Sequence, residues 1–98
     1  MNLIVMVCLV TGSSRGLGKA IALALGKKGH QVVVHYRYRE KEALQVASLI
    51  HNSILLKADV RSGMEVKILV DEVIARWERI DVLVNNAGIT KEALLIKT

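Results

Sequence analysis

The sequence predicts an α/β fold, a doubly wound parallel sheet with helices on both faces. Three observations carry this. Short apolar runs alternate with longer segments whose apolar residues recur at helical spacing. The runs themselves (Leu3–Val10, Val32–Val34, Ile54–Leu56, Ile80–Val84) are continuous rather than alternating, as strands buried on both faces require. The first strand also runs into a turn rich in glycine and hydroxyl side chains. The order βαβαβαβ with right-handed crossovers closes most economically in the strand order 3-2-1-4.

Each element has its own warrant. Residues 3–10 form the first strand, too short to cross a membrane and without the basic flank of a signal peptide. In residues 15–28, Leu17, Ile21 and Leu25 recur every four residues with Ala20 and Ala24 beside them, the pattern of an amphipathic helix. Gly29 stands where a helix end favours a positive φ. After the second strand, residues 39–51 place Ala43, Val46, Ala47 and Ile50 on one face. After the third, Ser62-Gly63-Met64-Glu65 matches a capping box, with Ser62 and Glu65 bonding each other's amides. Behind it Val66, Leu69, Val70, Val73, Ile74 and Trp77 mark a wide apolar stripe.

Composition narrows the function. The chain has 98 residues, 52% of them apolar, so one small domain with an aliphatic core is expected. The net charge of +5 is scattered and lacks interleaved aromatics, which argues against a nucleic-acid binder. Cys8 is the only cysteine, so no internal disulfide can form, and the cytoplasm is the expected compartment. His30, His35 and His51 have no metal-ligand spacing, and no metal is expected. Nothing in the sequence places it at a membrane.

Thr11–Gly18 reads TGSSRGLG: three glycines and three hydroxyls in eight residues, between a strand and a helix. Glycines let backbone amides approach a phosphate without obstructing Cβ atoms, and the helix N-terminus adds unsatisfied N–H groups and a favourable dipole. A Walker loop is excluded, because Ser13 takes the place of its first glycine and Ala20 follows Gly18-Lys19 where a hydroxyl is needed for magnesium. The spacing GxxxGxG also differs from the GxGxxG dinucleotide fingerprint.

This spacing, together with Asn85-Asn86-Ala87-Gly88 after the fourth strand, resembles the short-chain dehydrogenase/reductase family, whose signatures are TGxxxGxG and NNAG. Within it, VTGSSRGLGKAIA and VNNAGIT look most like the 3-oxoacyl-acyl-carrier-protein reductases of fatty-acid synthesis. The resemblance implies a Rossmann-type fold and a nicotinamide dinucleotide held by Gly12, Ser13, Ser14, Arg15, Gly16, Leu17 and Gly18. It also implies that the Asp59 side chain takes the adenine amino group and the Val60 amide a ring nitrogen. Asn86, Ala87 and Gly88 would lie along the adenosine ribose, while Asn85 ties neighbouring strands together.

An acidic residue after the second strand would favour NAD. Here the strand ends Val34-His35-Tyr36-Arg37, with no carboxylate before Glu40. Arg37 offers a positive fork to a 2′-phosphate, and Arg15 can close from the other side, so the expected cofactor is NADP(H). The family's proton donor is a Tyr with a Lys four residues on, helped by a Ser. Tyr36 and Tyr38 are followed at that distance by Glu40 and Glu42. The resemblance thus makes residues 1–98 a dinucleotide-binding half-domain, truncated before the catalytic half and inactive alone. Expected partners are NADPH, the missing half or a second copy, and an acyl-carrier-protein thioester substrate. The alternative is a non-catalytic dinucleotide-binding or interaction module.

Overall fold

The computed structural model describes residues 4–87. Four strands and three helices alternate: β1 Val7–Val10, α1 Gly16–Lys27, β2 Gln31–Tyr36, α2 Glu40–Ser48, β3 Ser53–Lys57, α3 Gly63–Trp77 and β4 Val82–Val84. The strands form one parallel sheet in the order β3-β2-β1-β4, as the sequence predicts. Cys8 lies between Val32 and Val82, and Val10 between Val34 and Val84.

Because side chains alternate along a strand, the two sheet faces carry separate cores. Val10, Val32, Val34 and Tyr36 pack with Ala22, Ala43, Val46 and Ile50 beneath α1 and α2. Val7, Leu9, Val33 and Ile54 pack with Ala58, Leu69 and Val73 beneath α3. β1 and β2 are buried on both faces, as their continuous apolar runs require, whereas in β4 Leu83 is 61% exposed.

The structure corrects four local expectations. The first apolar run is a strand only from Val7; Ile4 and Val5 are exposed, because β2 pairs with β1 only from Gln31. The buried side of α1 is Gly18 and Ala22, with Ile21 and Leu25 half-buried at its flanks; Ala20 and Ala24 are exposed, and Leu17 is 59% exposed. Small residues face the sheet because α1 lies close to its neighbours: a Cβ on Gly26 would come within 2.6 Å of Ile50 Cγ2. Ile74 projects from the predicted stripe of α3 into solvent. Finally, the capping box is half formed. Ser62 Oγ accepts from the Glu65 amide at 3.2 Å, but Glu65 Oε1 accepts from the Asp59 amide at 2.8 Å instead of from Ser62.

Gly29 does adopt a left-handed φ of 90° at the end of α1. At the other end of the sheet, Asp81 fixes β4 against β1: its Oδ2 accepts from the Val7 amide and from Arg79 Nε, both at 2.8 Å. Among the described residues no helix is long and apolar enough to cross a membrane, and no His, Cys, Asp or Glu side chains cluster as metal ligands.

Candidate nucleotide-binding site

The C-terminal ends of the strands meet at the glycine loop, the crevice where open α/β sheets bind ligands. Thr11 ends β1, and its hydroxyl does three things. It donates to the Val84 carbonyl at 3.3 Å and accepts from the Asn86 and Ala87 amides at 2.8 and 2.9 Å. The Asn86 side chain then donates to the Gly12 carbonyl at 3.1 Å. The two sequence motifs are therefore one hydrogen-bonded unit.

Two glycines are required here for different reasons. Gly18 faces inward, and a Cβ on it would run into the Gly12 carbonyl and lie 2.6 Å from Asn86 Nδ2. Gly16, by contrast, has open space around its missing Cβ but a φ of 61°, which side-chain-bearing residues rarely adopt. It opens onto the cavity at the start of α1, where helix amides are free to meet an anion.

That cavity is about 530 Å³. Gly12, Ser14, Arg15 and Gly16 form one wall, Asn86 and Ala87 a second, and His35 through Arg39 a third. Arg15, Arg37 and Arg39 all border it, Arg39 paired with Glu42 at 3.1 Å. Arg37 lies over the Tyr38 ring, 4.6 Å from the centroid, a cation–π arrangement. Its Nη2 also pairs with Asp59 Oδ2 at 2.9 Å. Asp59 is bound more extensively by Arg61, through the backbone amide, Nε and Nη2. The Arg61 contacts, and then the charge of Arg37, hold the Asp59 carboxyl below its ordinary value.

Of the residues singled out in the sequence, Gly12, Ser14, Arg15, Gly16, Arg37, Asn86 and Ala87 line this one cavity. Ser13 and Gly18 are buried behind it. Leu17 is exposed on the first turn of α1. Asp59 reaches the cavity wall through Arg37. Val60 instead borders a second hollow of about 370 Å³ between β1, β4 and α3, together with Asn85. Gly88 lies outside the described residues. The Gly12 amide donates to His35 Nδ1 at 2.8 Å, so Gly12 serves the site by its conformation and its lack of a side chain, which leaves room for Ala87.

The family model for short chain dehydrogenase matches residues 6–97. The chain belongs to the short-chain dehydrogenase family. Two curated relatives are 3-oxoacyl-[acyl-carrier-protein] reductases. The one from Staphylococcus epidermidis is 44% identical over 91% of this chain, and the one from Synechocystis sp. 47% over 93%. The chain spans 38% of the length of each. Among solved structures, landomycin C-6 ketoreductase LanV with bound NADP and rabelomycin superposes with a TM-score of 0.76 at 36% identity, over 86% of this chain and 38% of that one. Within the short-chain dehydrogenase frame, the cavity also takes in Tyr36 and Tyr38, which the sequence puts at the nucleotide end, His35, whose direction the sequence leaves open, and Arg39, which the sequence reading missed. The signal was present: polar and aromatic residues gather where a buried strand ends.

Proposed function

We propose that this chain is the NADP(H)-binding portion of a cytoplasmic short-chain reductase acting on a 3-oxoacyl thioester of acyl-carrier protein. The observation that carries the cofactor is the placement of Arg37. It stands at the end of β2, in the same cavity as the glycine loop, where an NAD enzyme would carry a carboxylate. The fit is physical as well: Gly16 leaves open space at the cavity edge, at the start of α1, that a side chain would fill, and Arg15 adds positive charge beside Arg37.

When bound, NADPH supplies a hydride; this chain's residues do the holding. The loop and the first turn of α1 would take the pyrophosphate, Arg37 and Arg15 the 2′-phosphate, Asp59 and the Val60 amide the adenine, and Asn86, Ala87 and Gly88 the ribose. Proton donation to a ketone falls to residues outside residues 1–98. Tyr36 is unsuited to it, since burial and the Glu40 carboxylate push its phenol above its ordinary value, opposite to an activated acid. On this reading residues 1–98 are a dinucleotide-binding half-domain that works with a catalytic half or a second copy.

Calorimetric titration with NADPH and NADH in one low-salt buffer tests the reading. Saturable binding that prefers NADPH is expected. Equal affinity for both would remove the NADP(H) assignment, and binding of neither would remove the nucleotide site.

A further inference from the structure

His35 is a buried polar side chain, 1% exposed, at the C-terminal end of β2. Its ring joins two separate segments. Nε2 lies 2.8 Å from the Ala58 carbonyl, and Nδ1 lies 2.8 Å from the Gly12 amide. A carbonyl can only accept and an amide N–H can only donate, so the tautomer is fixed: Nε2 carries the proton and Nδ1 the lone pair. The backbone of the same residue holds the next loop position. The His35 amide donates to Ser13 Oγ at 2.8 Å, and its carbonyl accepts from the Ser13 amide at 3.0 Å.

Deepening the nucleotide reading above, on which it rests, we propose that His35 is a positioning residue of the site. Its neutral imidazole, clasped between Ala58 and Gly12, sets the glycine loop in the shape that accepts a dinucleotide pyrophosphate and ties that loop to the adenine side at Asp59. The same geometry makes the clasp sensitive to protonation. An imidazolium would turn an N–H toward the Gly12 N–H and break the bond. Burial, the larger influence, lowers the basicity of His35; the Ala58 carbonyl raises it less. Arg15 on the loop and Arg37 and Arg39 after β2 border the shared cavity, Asp59 beyond Ala58 is engaged by Arg37 and Arg61, and Glu65 of α3 is bonded to the Asp59 amide.

Two substitutions separate the ring's two bonds. His35→Asn puts an acceptor on the γ carbon, where Nδ1 stood, and so keeps the Gly12 bond while losing Ala58. His35→Gln reaches Ala58 with its amide and loses the acceptor for Gly12. Neither titrates. Affinity for NADP⁺ would be measured calorimetrically from pH 8 to pH 5 for the three chains, alongside ¹⁵N spectra of the His35 ring and Gly12 amide without nucleotide. At pH 8, His35→Gln should bind about tenfold more weakly than wild type, the scale of one lost hydrogen bond, and His35→Asn, which keeps the Gly12 bond, should lose less. On acidification wild type should weaken more than His35→Asn; titration of the cofactor phosphate is common to both. Wild-type affinity in His35→Gln, or identical pH profiles for wild type and His35→Asn, would overturn the proposal. Absence of NADP⁺ binding by all three would bring down the nucleotide reading and this role with it. Spectra lacking the Nε2–H tautomer would overturn the clasp alone.

Discussion

Arg37 Nη2 stands 2.9 Å from Asp59 Oδ2, an ion pair beside the hydrogen bonds that the carboxylate accepts from Arg61. Oδ1 already accepts from the Arg61 amide and Nε, and Oδ2 from Arg61 Nη2, against about four lone-pair sites on a carboxylate. An adenine amino group approaching Asp59 would compete with the weakest arginine contact. Arg37 makes a single contact where Arg61 makes three, so Arg37 is the one to exchange. A 2′-phosphate that draws Arg37 away would therefore open Asp59 to adenine, linking recognition of the two groups.

Arg37→Asp should consequently lower NADPH affinity by about ten- to a hundredfold, the scale of a charge-assisted hydrogen bond of about 1.5–3 kcal/mol. NADH affinity should be unchanged or raised, so the preference moves toward NADH. The ratio of the two dissociation constants, measured on one preparation, checks this; an unchanged ratio sinks the assignment of Arg37.

Gly16 and Gly18 should respond differently to added side chains. Gly16→Val should leave the chain folded at a cost of about 1–2 kcal/mol for a left-handed residue, yet abolish nucleotide binding by filling the cavity edge. Gly18→Ala should damage the fold itself, since the new Cβ meets the Gly12 carbonyl and Asn86. Denaturant midpoints together with NADPH titrations separate the two effects.

Asp81→Ala should destabilise the chain modestly, because the carboxylate is partly exposed. The buried Val7 loses the side-chain partner of its amide, and Arg79 loses its counter-charge. The expected signature is a lower denaturant midpoint with an unchanged slope.

Acid stability follows from the same carboxylates. Asp81 is held below its ordinary value by the Val7 amide and then Arg79, and Asp59 by Arg61 and then Arg37. A depressed folded value means each contributes stability above the unfolded value of about 3.9, lost as pH falls through the folded one. Stability measured from pH 6 downward should therefore begin to fall near pH 4, and the Asp59→Asn/Asp81→Asn double variant should fall less steeply over that window.

The sheet was legible because burial on both faces writes itself as unbroken apolar runs, and one strand order closes them. The glycine loop was legible because no simple turn needs that composition. Less visible was what depends on distance. The helix α1 meets the sheet through Gly18 and Ala22, and small residues leave no mark in a pattern of large apolar ones. Glu65 serves Asp59 rather than Ser62, a choice between two nearby amides that spacing cannot make. The role of His35 is not legible in the sequence, because it requires Gly12 and Ala58, each 23 residues away, to arrive together.

The Thr11 hydroxyl has one proton and two lone pairs, and all three are committed between β1 and the turn after β4. Loop and turn consequently share a single mechanical coordinate. A shift at the end of β1 is therefore felt at Asn86 and Ala87 through one oxygen atom, without a relay of side chains.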